Sequence, residues 1–289
     1  MNLLVRLNLL LVTALGLLCL GGAYGCWVAF QDSARYEMGR EAGLMVDSAL
    51  ATHSYTAAEV FPLLSERMRT QFLPQSVPFY AATQNFLKLR EQHPEYSYKE
   101  AALNPTNPRD RAMDWEADLI QKFRNDPGTR EIVGERDTPV GRSLYLARPV
   151  RAEDECLACH SSPSSAPATL VARYGSDNGF GWQSKEIVGA HIVSVPLDDA
   201  MTRARSAFRL ALTAILAAAL IVVLVVNAIV YFLVVRPVRR IAEVAERVSV
   251  GDETPGEFPR VDTSEIGGLA LSFGRMRVSL EKAMRLLEK

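Results

Sequence analysis

The sequence predicts an α+β domain held between two membrane-crossing helices and followed by an all-α coiled-coil tail. Three observations predict it. Two uncharged apolar runs, residues 7–30 and 210–235, are each long enough as a helix, at about 1.5 Å per residue, to cross a hydrocarbon core of roughly 30 Å. Between them a helical rhythm gives way after Gly128 to short, partly alternating and partly β-branched runs at 130–134, 143–150 and 186–196, the pattern of an antiparallel sheet. After the second run, Ile266, Phe273, Leu280 and Leu287 recur every seven residues, and Leu269, Met276 and Ala283 fill the other core position of a coiled-coil seam. The 289 residues carry a formal net charge of -1 and 48% hydrophobic content, which excludes the basic balance of a nucleic-acid binder and the composition of a disordered chain.

Taken in order, residues 1–30 form a short tail and the first membrane helix. Arg6 before an apolar run also suits a cleaved signal peptide, and Ala23-Tyr24-Gly25-Cys26 resembles a lipoprotein cleavage site. The run is longer than a usual signal core and Tyr24 suits a lipobox poorly, so an uncleaved anchor is expected. Ala34, Met38, Ala42, Met45 and Ala49 continue the helical rhythm to about His53, predicting one long helix rising from the membrane. A second helix is expected from Ala57 to Phe72, bent or started by Pro62. Residues 103–110, with Pro105 and Pro108, are turn chemistry, after which Asp110 or Thr106 caps a helix reaching about Arg124 with Trp115, Leu119, Ile120 and Phe123 on its buried face. Helices first, sheet second and a last strand leading to a membrane helix make a sensor layout of the PAS or Cache kind. Residues 31–206 form that domain, 207–235 the second membrane helix and 236–289 the tail.

Cys156-Leu157-Ala158-Cys159-His160, in the loop between two of the expected strands, is the chemical centre of the sequence. Two cysteines separated by two residues and followed at once by histidine are the attachment signature of haem c: each thiol adds across one porphyrin vinyl group, and the next side chain brings an imidazole to the iron. One covalent haem c is therefore expected, with His160 as proximal ligand. The competing readings are half of a zinc site and a redox dithiol. Zinc wants four ligands, and the domain has no further cysteine, only the scattered His53, His93 and His191. A thioredoxin-type dithiol wants a βαβ setting that the pattern lacks. Cys19 and Cys26 lie inside the first span as small apolar packing residues. Arg203, Arg205 and Arg209 before the second span balance Arg236, Arg239 and Arg240 after it, so charge leaves orientation undecided. Haem attachment outside the cytoplasmic membrane decides it: residues 31–206 periplasmic, both termini cytoplasmic, in a bacterial inner membrane.

Two resemblances add to this. Arg236-Pro237-Val238-Arg239-Arg240 after a membrane helix, Gly251-Asp252, Ser264-Glu265-Ile266-Gly267-Gly268-Leu269, Phe273 and Met276 together resemble a HAMP linker. That resemblance implies a parallel four-helix bundle in a homodimer, which converts motion of the membrane helices into a change of bundle packing. Residues 31–206 resemble the single-haem c-type periplasmic sensor domains of PAS-like fold, on His53-Ser54-Tyr55-Thr56, residues 100–108 (EAALNPTNP), Asp114-Trp115-Glu116, the haem motif and Gly179-Phe180-Gly181-Trp182. Members of that family can use a cysteine as sixth ligand. This domain has none to spare, which leaves His53, a methionine (Met45, Met68 or Met113) or an open position, with His53 preferred because it lies in a family-like motif.

Among the remaining candidates, Phe79, Tyr80, Phe86, Tyr145, Phe180 and Trp182 are either porphyrin walls or plain core, with Tyr145 and Trp182 carried as cofactor contacts. Tyr145, Arg148 and Arg173 are candidates for the propionates. His93 reads as a solvated loop residue and His191 as a packed sheet histidine. Glu116, Asp118 and the run 153–155 suggest no catalytic dyad, so no enzyme is expected. Asn227 either pins register across a dimer or lines a neighbouring helix.

The expected function is a membrane-anchored haem sensor that couples redox state or binding of oxygen, nitric oxide or carbon monoxide to a HAMP switch. No kinase, cyclase or methyl-accepting region appears up to Lys289, so a cytoplasmic output protein is the expected partner. The alternative is a tethered monohaem cytochrome passing electrons to a periplasmic redox partner; peroxidase chemistry has no distal His-Arg pair behind it. The seam predicts that Leu280→Cys gives a cross-linked dimer in membranes, and absence of a dimer band on a non-reducing gel would count against it.

Overall fold

The computed structural model describes residues 3–139, 141–250, 252, 256 and 265–287. In chain order the elements are α1 (Leu3–Tyr55), α2 (Phe61–Met68), α3 (Pro78–Arg90), β1 (Ser97–Ala102), α4 (Asp114–Asn125), β2 (Ile132–Thr138), β3 (Gly141–Arg151), α5 (Leu157–His160), α6 (Ala168–Tyr174), β4 (Ile187–Pro196), α7 (Leu197–Val230), α8 (Arg236–Ser249) and α9 (Glu265–Leu287). They fall into two compact units, Cys26–Phe208 and a second made of Met1–Gly25 with Arg209–Lys289.

In the first unit four antiparallel strands pair in the order β1-β4-β3-β2. The β4 sequence is almost continuously apolar because the strand is covered on both faces. One face receives α1 through Ala34, Met38, Ala42, Val46 and Ala49, a spacing of three to four residues that puts small side chains on one stripe against Leu144, Leu146, Val193 and Val195. The opposite face receives Leu119, Ile120 and Phe123 of α4, packed on Ala101, Ala147, Ala190 and Ile192. Full burial of side chains such as Val193 and Phe123 stabilises the fold by about 1.5–3 kcal/mol each.

Several expectations are corrected. The second helix ends at Met68 rather than Phe72, because the chain turns there: the Leu73 N–H donates to Met68 Sδ at 3.1 Å. A wide π turn, Thr56–Val60, precedes Pro62, which has no N–H to donate and crowds the carbonyl four residues back. Neither Asp110 nor Thr106 caps α4. Asp110 ends a short 3-10 turn, Pro108–Asp110, and α4 opens at Asp114, where the Met113 N–H donates to the Glu116 carboxylate at 2.8 Å. Trp115 is only half-buried, under the Arg136 guanidinium at 4.0 Å. The strand β1 and helix α3 were not in the sequence expectation at all.

The second unit contains the apolar part of two helices long and apolar enough to cross a membrane. Within it Asn8 and Asn227 exchange side-chain amide hydrogen bonds at 2.8 and 2.7 Å. Asn227 therefore lines a neighbouring helix of its own chain, a pairing that apolar surroundings favour. A second π turn, Tyr231–Val235, precedes Pro237 at the start of α8. The helices α8 and α9 bury Ile241 and Ala270, while Leu269, Met276 and Leu280 of the seam are exposed in the single chain. Of the connector at 251–264, only 252 and 256 are described, so the Gly251 and Ser264 features lie outside the described residues.

Phe123 has no exposed surface, so Phe123→Ala leaves a cavity and should cost about 3–5 kcal/mol, whereas Val133→Ala, half-exposed at 50%, should stay within about 0.5 kcal/mol. Thermal unfolding of the two variants in detergent measures the difference.

Candidate cofactor site

The loop between β3 and β4 is closed at its base by two backbone bonds, the Ala152 N–H to the Glu186 carbonyl at 2.8 Å and the Lys185 N–H to the Ala152 carbonyl at 2.7 Å. Just beyond, Cys156 ends a 3-10 turn, Asp154–Cys156, and stands at the N-cap of the single helical turn α5 that carries Cys159 and His160; helical spacing brings positions i, i+3 and i+4 to the same side. Both cysteines are free thiols, and burial pushes both above the ordinary thiol range.

His160 is held from three directions. Its Nδ1 lies 2.7 Å from the Gly179 carbonyl and 3.4 Å from Thr106 Oγ1, and its ring stacks on Trp182 at 4.0 Å. A carbonyl can only accept, so Nδ1 carries the proton and Nε2 keeps its lone pair. Burial holds the imidazole below its usual pKa, which the Gly179 bond offsets only in part, and the ring is neutral. Gly179 has φ +84°, and a Cβ there would run into the Thr106 side chain, so only glycine brings this carbonyl to the ring.

His160 and Trp182 line a cleft of about 820 Å³, counting its open mouth. Phe72, Phe79 and Tyr80 wall it on one side, and Leu170, Tyr174, Val150 and Val188 on others. Its polar edge carries Glu100, Asp110 and Arg109. Gly189 also lines the cleft, and any Cβ there would meet the Ala101 carbonyl of β1, so the close strand pairing excludes a side chain.

A model of the Tll0287-like family, described as Tll0287, matches residues 31–196, more than half of the chain. The chain belongs to the Tll0287-like family. A HAMP domain matches residues 230–282, so this Tll0287-like domain is followed by HAMP. Among solved structures, the crystal structure of the cyanobacterial heme-protein Tll0287 is similar, with 16% identity over 50% of this chain and 92% of that one and a TM-score of 0.38. No curated protein matches.

In this Tll0287-like domain the structure brings His160 and Trp182 into one cleft wall, with Cys156 and Cys159 beside His160 on the same turn though not themselves lining the cleft. Tyr145 is elsewhere. It lies on the α4 face of the sheet, 5.5 Å from Trp115, because odd-numbered positions of this stretch of β3 face away from the cleft. Arg148 is bound to Asp47 and Glu131, and Arg173 lies over Tyr174. His53 does not line the cleft either. Its ring packs edge-on against Phe79 at 4.4 Å, and its buried Nε2 has no hydrogen-bond partner among the described residues. Met68 uses its sulfur on Leu73, Met113 is exposed and Met45 packs on the α1 core. Phe86 stacks on Tyr98 in the same core, and His93 is exposed. His191 is a buried sheet residue.

Thr106, Gly179, Arg109, Glu100 and Asp110 were missed as site residues, although most lie within stretches quoted for the family resemblance. The donor set suits a haem: a neutral imidazole with a free Nε2, a second group fixing its Nδ1, two thiols at attachment spacing and a largely apolar cleft. Among the described residues no three His, Cys, Asp or Glu side chains gather as a metal site, so the thiols lack the partners that zinc requires.

Gly179→Ala should destabilise the domain by about 1–3 kcal/mol and release the His160 ring. Thermal unfolding reads the first effect, and the imidazole resonances in a proton–nitrogen correlation spectrum read the second; an unshifted Nδ1 signal would contradict the role assigned to the carbonyl.

Proposed function

We propose that the chain is a membrane-anchored sensor carrying one covalent haem c, which couples the redox state or small-ligand occupancy of that haem to the HAMP domain. The observation that carries the reading is the His160 imidazole, fixed through Nδ1 so that Nε2 is presented in the wall of an apolar cleft, on the same turn as two free thiols. Cys156 and Cys159 would hold the porphyrin and His160 would bind its iron. When bound, the group supplies a one-electron couple and an iron site open to small ligands. His53 stays the candidate second iron ligand: its buried Nε2 has no hydrogen-bond partner among the described residues, and its ring lies edge-on to Phe79, which lines the cleft.

The rest of the chain supports transduction. The strand β4 borders the cleft at Val188 and Gly189 and passes at Pro196 directly into α7, one of the two candidate membrane helices. A HAMP match follows. In this reading the domain is periplasmic, both termini are cytoplasmic, and the unit works as a homodimer that passes its signal to a cytoplasmic output. Electron transfer needs an anchor and nothing as elaborate as HAMP, so the carrier reading ranks second.

The test is a reduced-minus-oxidised absorption spectrum of the purified protein, with and without carbon monoxide. Haem that stays with the polypeptide through denaturing electrophoresis, and is lost in Cys156→Ala and Cys159→Ala, is the expected result; no haem band would sink the reading. A carbon monoxide shift favours gas sensing, a saturated iron that does not shift favours redox sensing, and an unchanged spectrum in His53→Ala removes His53 as ligand.

A further inference from the structure

The cleft wall holds an acid that the haem reading does not use. Glu100 lies on β1, 6% exposed, and lines the same cleft as His160. Tyr98, two residues earlier on the same face, donates its hydroxyl to Glu100 Oε1, and His191 from β4 stands with Nδ1 3.1 Å from the Tyr98 hydroxyl and 3.9 Å from the same carboxylate oxygen. Because the Tyr98 proton is given to Glu100, the tyrosine oxygen accepts from the His191 Nδ1–H, and the three groups form one directed chain that ends on the carboxyl.

No cation neutralises that carboxyl among the described residues. Arg109, the nearest guanidinium on the cleft edge, donates to Asp110 Oδ1 at 3.2 Å, and Arg148, which is opposite His191 in the β3–β4 register, is bound to Asp47 and Glu131. His53 from α1 stands behind His191, with ring centroids 6.5 Å apart. Burial, with Asp110 adding like-charge repulsion, therefore pushes Glu100 well above the carboxylate range against the opposing Tyr98 bond and the Arg109 charge. His191 is driven down to about 3, mainly by burial, and is neutral throughout the physiological range. Asp110 is also raised by burial, but Arg109 compensates it directly.

We propose that Glu100 is a proton-binding site coupled to the electron held in the cleft: its free carboxylate oxygen takes one proton from solvent when one electron from an external one-electron donor enters the haem, and returns it when that electron leaves. The proposal rests on the haem reading above. Its physical cause is charge balance. Oxidised haem adds one positive charge to a largely apolar cleft in whose wall Glu100 is buried, which favours an ionised Glu100; reduction removes that charge, and the acid can no longer stay ionised at the same pH. One electron and one proton enter together, the net charge of the cleft is unchanged, and the site reads acidity along with electron supply.

The experiment is a spectroelectrochemical titration of the full-length protein in detergent at a series of pH values. The midpoint potential should fall with rising pH by about 59 mV for each tenfold drop in proton activity, across the window in which Glu100 titrates. Glu100→Gln should make it independent of pH there, while Asp110→Asn keeps the slope. Tyr98→Phe removes the bond that favours the ionised acid and should move the window to higher pH with the slope intact, a result that does not depend on how well Glu100→Gln folds. A pH-independent potential in the unaltered protein, or an unaltered slope in Glu100→Gln, overturns the proposal. Absence of any haem band overturns it together with the haem reading, and the two failures are told apart by the spectrum.

Discussion

The strand β4 is the constraint on which the domain depends. It is paired on both edges and covered on both faces, so α1 on one side and α4 on the other are fixed by the same ten residues. Its pairing with β3 also closes the loop that carries Cys156, Cys159 and His160. A strand held this completely has few ways to move except as a unit with its ends. One end borders the cleft and the other continues, with no loop between, into α7.

The architecture was legible where a chemical rule left a periodic trace. The α1 stripe, the apolar β4 and the heptads of α9 each repeat a period set by backbone geometry. The strand β1 was not legible, because Ser97-Tyr98-Lys99-Glu100-Ala101-Ala102 has no β-branched residue and alternates polar groups on both faces. Its polar side chains are accommodated largely by partners on other elements: Lys99 reaches Glu116 of α4 at 2.6 Å, and Glu100 meets His191 of β4 as well as its strand neighbour Tyr98. Tertiary pairing overrides local propensity in such a segment. The cap of α4 failed for a related reason. Asp110 and Thr106 have good capping side chains, yet Asp110 faces the cleft beside Arg109 and Thr106 faces His160.

The candidate site divides in the same way. The Cys156–His160 stretch stood out because its spacing is local, and the structure puts Trp182 beside His160 in the cleft wall. The residue that orients His160 could not, since nothing in Gly179 marks its carbonyl as an acceptor for a ring nineteen residues away. Tyr145 was misjudged because strand parity, which decides the face a side chain occupies, depends on a register that only the paired sheet defines. The polar edge of the cleft escaped notice because an isolated acid in sequence looks like any solvated acid; burial changes its chemistry.

Two prolines, Pro62 and Pro237, each stand second in a helix entered through a π turn, at Thr56–Val60 and Tyr231–Val235. A π turn takes up one residue more than an α turn, so side chains beyond it are rotated relative to those before it. For α8 this means that its inward face is offset by a fixed rotation from the phase α7 would have given it. The apolar stripe of the candidate span and the packing stripe of the linker are therefore matched through one inserted residue and need not lie on a single line along the helix.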